Sequence, residues 1–171
     1  MATIGLDKLY YASISEDPTS GEETYAVPKP LAKAISAELS VEVAEAILYA
    51  DDGASEIVKE FKSGTLTLGV DDLGAEAAAA LTGARLDANG VLISTSEDGG
   101  APVAIGFRAA RSNGKYQYFW FYRVKFALPG TTLATKADSI TFSTPSIEGT
   151  ILRRNKPDAT GKHPWKAEDT E

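Results

Sequence analysis

Between Val103 and Phe126 the chain alternates in steps of two around an Asn-Gly dipeptide, and that pattern commits the segment to β-structure. Val103, Ile105 and Phe107 interleave with Ala104, Gly106 and Arg108. Asn113-Gly114 suits the positive dihedrals of a type I′ turn, so a hairpin is predicted over 103–126. Its return strand would place Tyr116, Tyr118, Trp120, Tyr122, Val124 and Phe126 on one face, with Gln117, Phe119, Phe121, Arg123 and Lys125 on the other. Aromatic residues on both faces put this strand at the centre of a sheet or against another subunit.

The same period governs Lys33 to Ala50, although alanine and glutamate there favour helix by propensity. Ile35, Ala37, Leu39, Val41 and Val43 fall on one face, while Ser36, Glu38, Ser40 and Glu42 fall on the other. A helix would scatter those apolar positions, so the pattern predicts a long strand. Asp51-Asp52-Gly53 marks a turn, and the alternation resumes through Ile57, Lys59 and Phe61. It changes phase near Ser63-Gly64, where a bulge is expected, and continues as Leu66, Leu68 and Val70. Residues 33–70 thus read as a long hairpin with a charged tip that stands off the body.

Asp7 to Ser15 suits a first strand and Glu16 to Glu23 an exposed turn. A helix is predicted over about 72–82, capped by Asp71 or Asp72, lined by Leu73, Ala77, Ala80 and Leu81, and ended by Gly83. Val91-Leu92-Ile93, Ser139-Ile140-Thr141-Phe142-Ser143 and Ile147 to Leu152 suggest further strands. The sum is a mainly β (α+β) fold, a β-sandwich or barrel flanked by one α-helix, over residues 1–154. Residues 155–171, with two prolines, many charges and one large apolar residue, read as an extended C-terminal arm outside the core.

The residues offer no catalytic or metal-binding constellation. The chain has 171 residues, no cysteine and a single histidine, His163, in the polar arm. A thiol nucleophile, a disulfide framework and a thiolate metal site are excluded, and a Ser-His-Asp triad would need that one histidine. The glycines form no phosphate-cradling loop, and neither Asp51-Asp52-Gly53 nor Glu97-Asp98-Gly99 has the ligand spacing of a calcium loop. No cofactor or metal is expected. Tyr118, Trp120 and Tyr122 could form a stacking platform for carbohydrate, the alternative function being a β-sandwich carbohydrate-binding module; core or subunit packing is the favoured use. A net charge of −7 disfavours tight binding of nucleic acid, yet an acidic wall lets a polyanion slide past. The start at Met1-Ala2-Thr3-Ile4-Gly5 lacks a secretory pattern, and no apolar run could span a bilayer, so the chain reads as cytosolic.

Several stretches in consistent order resemble the major tail protein of long-tailed, non-contractile bacteriophages, the subunit of the tail tube. They are Leu31 to Ala37, Leu48 to Gly53, Phe61 to Asp72, Ala104 to Arg108, Tyr122 to Phe126, and Ile147-Glu148-Gly149-Thr150 running to Lys166. The resemblance covers nearly the whole chain and rests on the sum of these pieces. It implies hexameric rings that stack into a hollow tube, with sheets of six subunits joined in a shared inner β-barrel. It also implies the tape-measure protein inside the tube, tail terminator and distal tail proteins at its ends, double-stranded DNA in transit, and a place in the virion after assembly in the host cytoplasm. Glu38, Ser40 and Glu42 are then candidates to face the lumen. Asp51, Asp52, Glu56, Lys59 and Glu60 on the hairpin are candidates for contacts between rings or subunits, with Arg153, Arg154, Lys156, His163 and Trp165 from the arm. The basic cluster Arg153-Arg154-Asn155-Lys156 is expected to meet an acidic patch on a neighbouring subunit.

Overall fold

The strand with aromatic residues on both faces lies at the centre of the sheet. A computed structural model describes residues 2–140 and 142–171. In chain order its strands are β1 Thr3–Glu16, β2 Glu23–Tyr25, β3 Lys29–Pro30, β4 Ala34–Ala50 and β5 Gly53–Val70. Helix α1, Ala75–Thr82, precedes β6 Arg85–Leu86, β7 Leu92–Ile93, β8 Val103–Arg111, β9 Tyr116–Phe126, β10 Ser146–Leu152 and β11 Lys166–Thr170. Among the described residues the protein is mainly β, with one short helix, an antiparallel sheet of nine strands and a two-stranded sheet of β6 and β7.

The large sheet runs β2-β1-β8-β9-β10-β5-β4, with β3 beside β1 and β11 beside β9. β9 pairs with β8 along one edge, and with β10 and then β11 along the other. The sheet bends until β4 comes near β1, the two approaching without pairing among the described residues. Leu66, Leu68, Ile105, Phe121, Val124 and Ile151 fill the core it encloses, joined by Ala77 and Leu81 of α1.

The predicted alternation of β9 is broken once. Ile105 opposes Phe121 but Val103 opposes Val124, so Tyr122 and Arg123 together face Ala104 in a β-bulge. Phe119 and Phe121 therefore share the core side with Val124 and Phe126, rather than lying opposite them. The turn also differs from the expected type I′. Gly114 alone is left-handed, at φ 77°, and Arg111 N donates to Lys115 O at 2.9 Å around a three-residue loop. The shape with two left-handed residues occurs instead at the tip of the long hairpin, at Asp51 (φ 51°) and Asp52 (φ 59°).

That long hairpin forms as expected, β4 pairing with β5 from Ala34↔Val70 to Ala50↔Gly53. Its phase change lies at Lys62, since Glu42 opposes Ser63 and Val43 opposes Phe61. The helix begins later than predicted, with Gly74 at its N-cap and no side-chain cap. Asp71 is used elsewhere: its Oδ1 accepts from Lys33 N at 3.0 Å and Asp72 N at 2.8 Å, fastening the start of the hairpin. Gly83 ends the helix left-handed, at φ 76°, as read from sequence.

Two other expectations are corrected. Ser139, Ile140, Phe142 and Ser143 form no strand, because no sheet edge lies beside them to pair with. Thr141, and Met1 at the start, lie outside the described residues. The C-terminal segment is not an arm outside the core. Residues 166–170 pair with β9 as β11, because β10 leaves β9 beyond Leu152↔Arg123 and frees that edge. Trp165, at the start of this return, stacks on Phe61 with ring centroids 4.4 Å apart and planes 2° from parallel.

β2 is tied in by two polar contacts. Arg123 forms a salt bridge with the buried Glu23, and Tyr25 Oη donates to Tyr122 O at 3.2 Å. Burial, and next the charge of Glu23, push the Tyr25 phenol up to about 12. A folded pKa above the unfolded value of 10.0 stabilises fully below pH 10 and is lost as pH rises from 10 to about 12. Tyr25→Phe is expected to lower stability by about 1 kcal/mol at neutral pH and to flatten that alkaline loss. Urea midpoints measured from pH 8 upward would check this; parallel curves for the two proteins would contradict it.

Candidate assembly interface

The core-facing side of the sheet continues out of the body along the long hairpin. On the body, Ala37 opposes Leu68 and Leu39 opposes Leu66, with Leu66 and Leu68 buried. The same face then carries Val43 opposite Phe61 and Ile47 opposite Ile57. The Phe61–Trp165 stack marks where the body ends, so β4 from Val43 to Ala50 extends about 25 Å beyond it. No element lies beneath this stretch among the described residues: Val43 is 53% exposed, and Tyr49 and Ile57 on the same face are exposed as well. β4 is also the last strand of the sheet, leaving a long unpaired edge. Between β4 and β1 an apolar cavity of about 490 Å³ opens, lined by Leu39, Leu66 and Phe121.

Glu38, Ser40 and Glu42 share the opposite face of β4, all exposed. Thr67, Thr65 and Ser63 lie across from them on β5. Their hydroxyls extend the acidic strip into a continuous polar face, with Ser63 Oγ donating to Glu42 Oε2 at 3.5 Å and Lys62 Nζ 3.9 Å from the same oxygen. The β5 residues were missed from sequence, although their spacing of two across a hairpin marks them. Asp51 and Asp52 sit at the exposed tip. Glu56 and Glu60 project on the same side as this polar face, opposite Leu48 and Ala44, while Lys59 pairs with Glu45 at 3.2 Å on the apolar side.

The arm residues are mostly engaged within the chain. Lys156 Nζ reaches Glu22 Oε1 at 2.5 Å, and Asn155 N donates to Glu23 Oε1 at 3.3 Å. Arg154 Nε donates to Lys156 O at 2.8 Å, and its guanidinium lies 5.1 Å from the ring of Tyr122. His163 Nδ1 donates to Arg154 O at 3.0 Å. Lys156 thus meets the chain's own Glu22, in a loop that sequence reads as exposed. Arg153 alone of the cluster remains exposed and outside any ion pair among the described residues. With Tyr122 set apart by the bulge and covered by Arg154, the aromatic stripe on the outer face shortens to Tyr116, Tyr118 and Trp120.

Arg108 fixes that stripe at one end. Its Nε and Nη2 donate to both carboxylate oxygens of Asp7, at 2.8 and 2.5 Å, and its guanidinium stacks 3.9 Å from the Tyr116 ring. The hydrogen bonds from Arg108 hold the Asp7 carboxyl below its ordinary value. Among the described residues no group of His, Asp and Glu has the arrangement of a metal site, and no helix is long and apolar enough to cross a membrane. Compared with known proteins, the sequence matches no family model and no curated protein.

Proposed function

We propose that this chain is a structural subunit, not an enzyme, that assembles with copies of itself into stacked hexameric rings forming a phage tail tube. The observation that carries the reading is the long hairpin: an apolar face that leaves the body with nothing beneath it, on the outermost strand of the sheet. Burying each of its large side chains is worth about 1.5–3 kcal/mol, and a neighbouring copy supplies both the apolar cover and the partner for the open edge. A heterologous contact of this kind closes into a ring. In this reading the sheets of six copies join as a shared inner barrel, with the sandwich or barrel of each subunit completed by its neighbours.

The face bearing Glu38, Ser40 and Glu42, with Ser63, Thr65 and Thr67, suits the lumen. Carboxylates repel a phosphate backbone, and short hydroxyls leave a smooth wall for DNA in transit and for the tape-measure protein before it. Tail terminator and distal tail proteins would cap the tube, and the virion is its place of action. Glu38→Lys with Glu42→Lys is expected to leave tube formation unchanged, since both side chains are exposed, while attracting the polyanion and impairing DNA passage. Electron microscopy of tubes and infectivity of phage carrying the variant measure the two effects. Normal infectivity would refute the lumen assignment, and loss of tubes would place these residues at a contact instead.

A further inference from the structure

The 19 residues from Ala127 to Pro145 join β9 to β10 without forming helix or strand among the described residues. A connection of that length inside a folded domain is uncommon without a role of its own. Its ends are fastened: Ala127 N donates to Glu148 O at 2.9 Å, and Val70 N donates to Pro145 O at 3.1 Å. Ser143 Oγ donates to Thr132 O at 2.5 Å, closing the base of the loop. Beyond that closure the side chains are oddly apolar for a surface loop, with Leu133 85% and Phe142 86% exposed and Ile140 exposed too. Lys136 and Asp138 lie between them, and neither has an ion-pair partner among the described residues.

A groove of about 620 Å³ on the outer face of β8, β9 and β11 has the complementary character. Its floor is Trp120, laid flat over Gly106; a Cβ at Gly106 would overlap the indole, so the glycine is what lets the ring lie there. Lys8 stands on one wall and Asp169 on the other, again without ion-pair partners among the described residues. Lys8 is held left-handed, at φ 55°, where a bulge shifts the register of β1 between Asp7 and Tyr10. A lysine in that conformation is strained, and such strain gathers where a side chain is being aimed. The loop of the same chain does not cover this groove: it runs beside Asp71 and Leu73, away from Trp120.

We infer that the loop 127–145 of one copy docks in the Trp120 groove of a second copy. Phe142 covers the indole, Asp138 faces Lys8, and Lys136 faces Asp169. Both charged pairs and the apolar floor are matched, which neither a wholly acidic nor a wholly apolar partner would achieve. This contact deepens the self-assembly reading and rests on it.

The absence of cysteine makes the test clean, because any thiol introduced is unique. Full-length Ser139→Cys and Ala167→Cys proteins are mixed at high concentration, treated with a short bismaleimide, and resolved by mass, with sedimentation run in parallel. The expected product is a cross-linked pair joining residue 139 of one copy to residue 167 of another. Adding Phe142→Ser should reduce it about tenfold or more. Assemblies that sediment normally but give no such product would overturn this docking and leave self-assembly standing. Protein that never associates at any concentration, including with preformed tube ends added as seeds, would overturn both.

Discussion

Arg123→Met is expected to destabilise the folded chain by about 3–5 kcal/mol, more than any other single substitution considered. Glu23 is 3% exposed, and Arg123 is its one charged partner among the described residues, reaching it across the sheet from β9. Glu23 Oε1 also accepts from Asn155 N, while Oε2 is buried without a hydrogen-bond partner. Removing the guanidinium therefore strands a carboxylate away from water, with one oxygen already unsatisfied, and desolvation is no longer offset. The loss reaches beyond β2, since the same carboxylate anchors the start of the C-terminal segment. Thermal melting should fall by roughly 10 °C for a chain of this size. Glu23→Gln added to Arg123→Met should recover most of it, because the stranded charge is gone. A single variant within 1 kcal/mol of the parent would mean that Glu23 reaches water and that the pair contributes no more than surface ion pairs do.

Val43→Asp with Ile47→Asp is expected to abolish assembly while leaving each subunit folded. Val43 and Ile47 are 53% and 39% exposed on the apolar face of the hairpin. Substitutions at such sites change stability by about 0.5 kcal/mol or less in the isolated chain. In a contact between copies, two lost apolar side chains and two buried carboxylates should weaken association by at least about a hundredfold. Circular dichroism melts and sedimentation measured on the same samples separate the two effects. Unchanged assembly would remove this face from the contacts, and a large drop in melting temperature would mean that it packs within its own chain.

The hairpins were legible because their signals are local or strictly periodic. Alternation from Ile35 to Val43 outweighed an alanine- and glutamate-rich composition, since only a strand segregates those side chains. The bulge at Tyr122-Arg123 was not legible. With aromatic residues on both faces of β9, no break in hydrophobicity marks the change of phase. β11 was missed for a different reason: Lys-Ala-Glu-Asp-Thr has little intrinsic strand character, and it pairs because tertiary structure leaves an edge of β9 open. Ile140 and Phe142 show the converse, a strand-like pair with no edge to join. Glu23 follows a polar turn and reads as exposed; only the fold brings Arg123 over it. Of the proposed contacts, the charged tip at Asp51-Asp52 was visible in sequence, while Lys156 is held by Glu22, a partner 134 residues away.

Self-assembly is tested most directly by electron microscopy of the purified full-length chain at high concentration, with mass measured on the same sample. Six-fold rings or hollow tubes are expected, the smallest closed species having about six times the 18.1 kDa of one chain. A chain that stays at the mass of one copy at every concentration, including with preformed tube ends added as seeds, would contradict it.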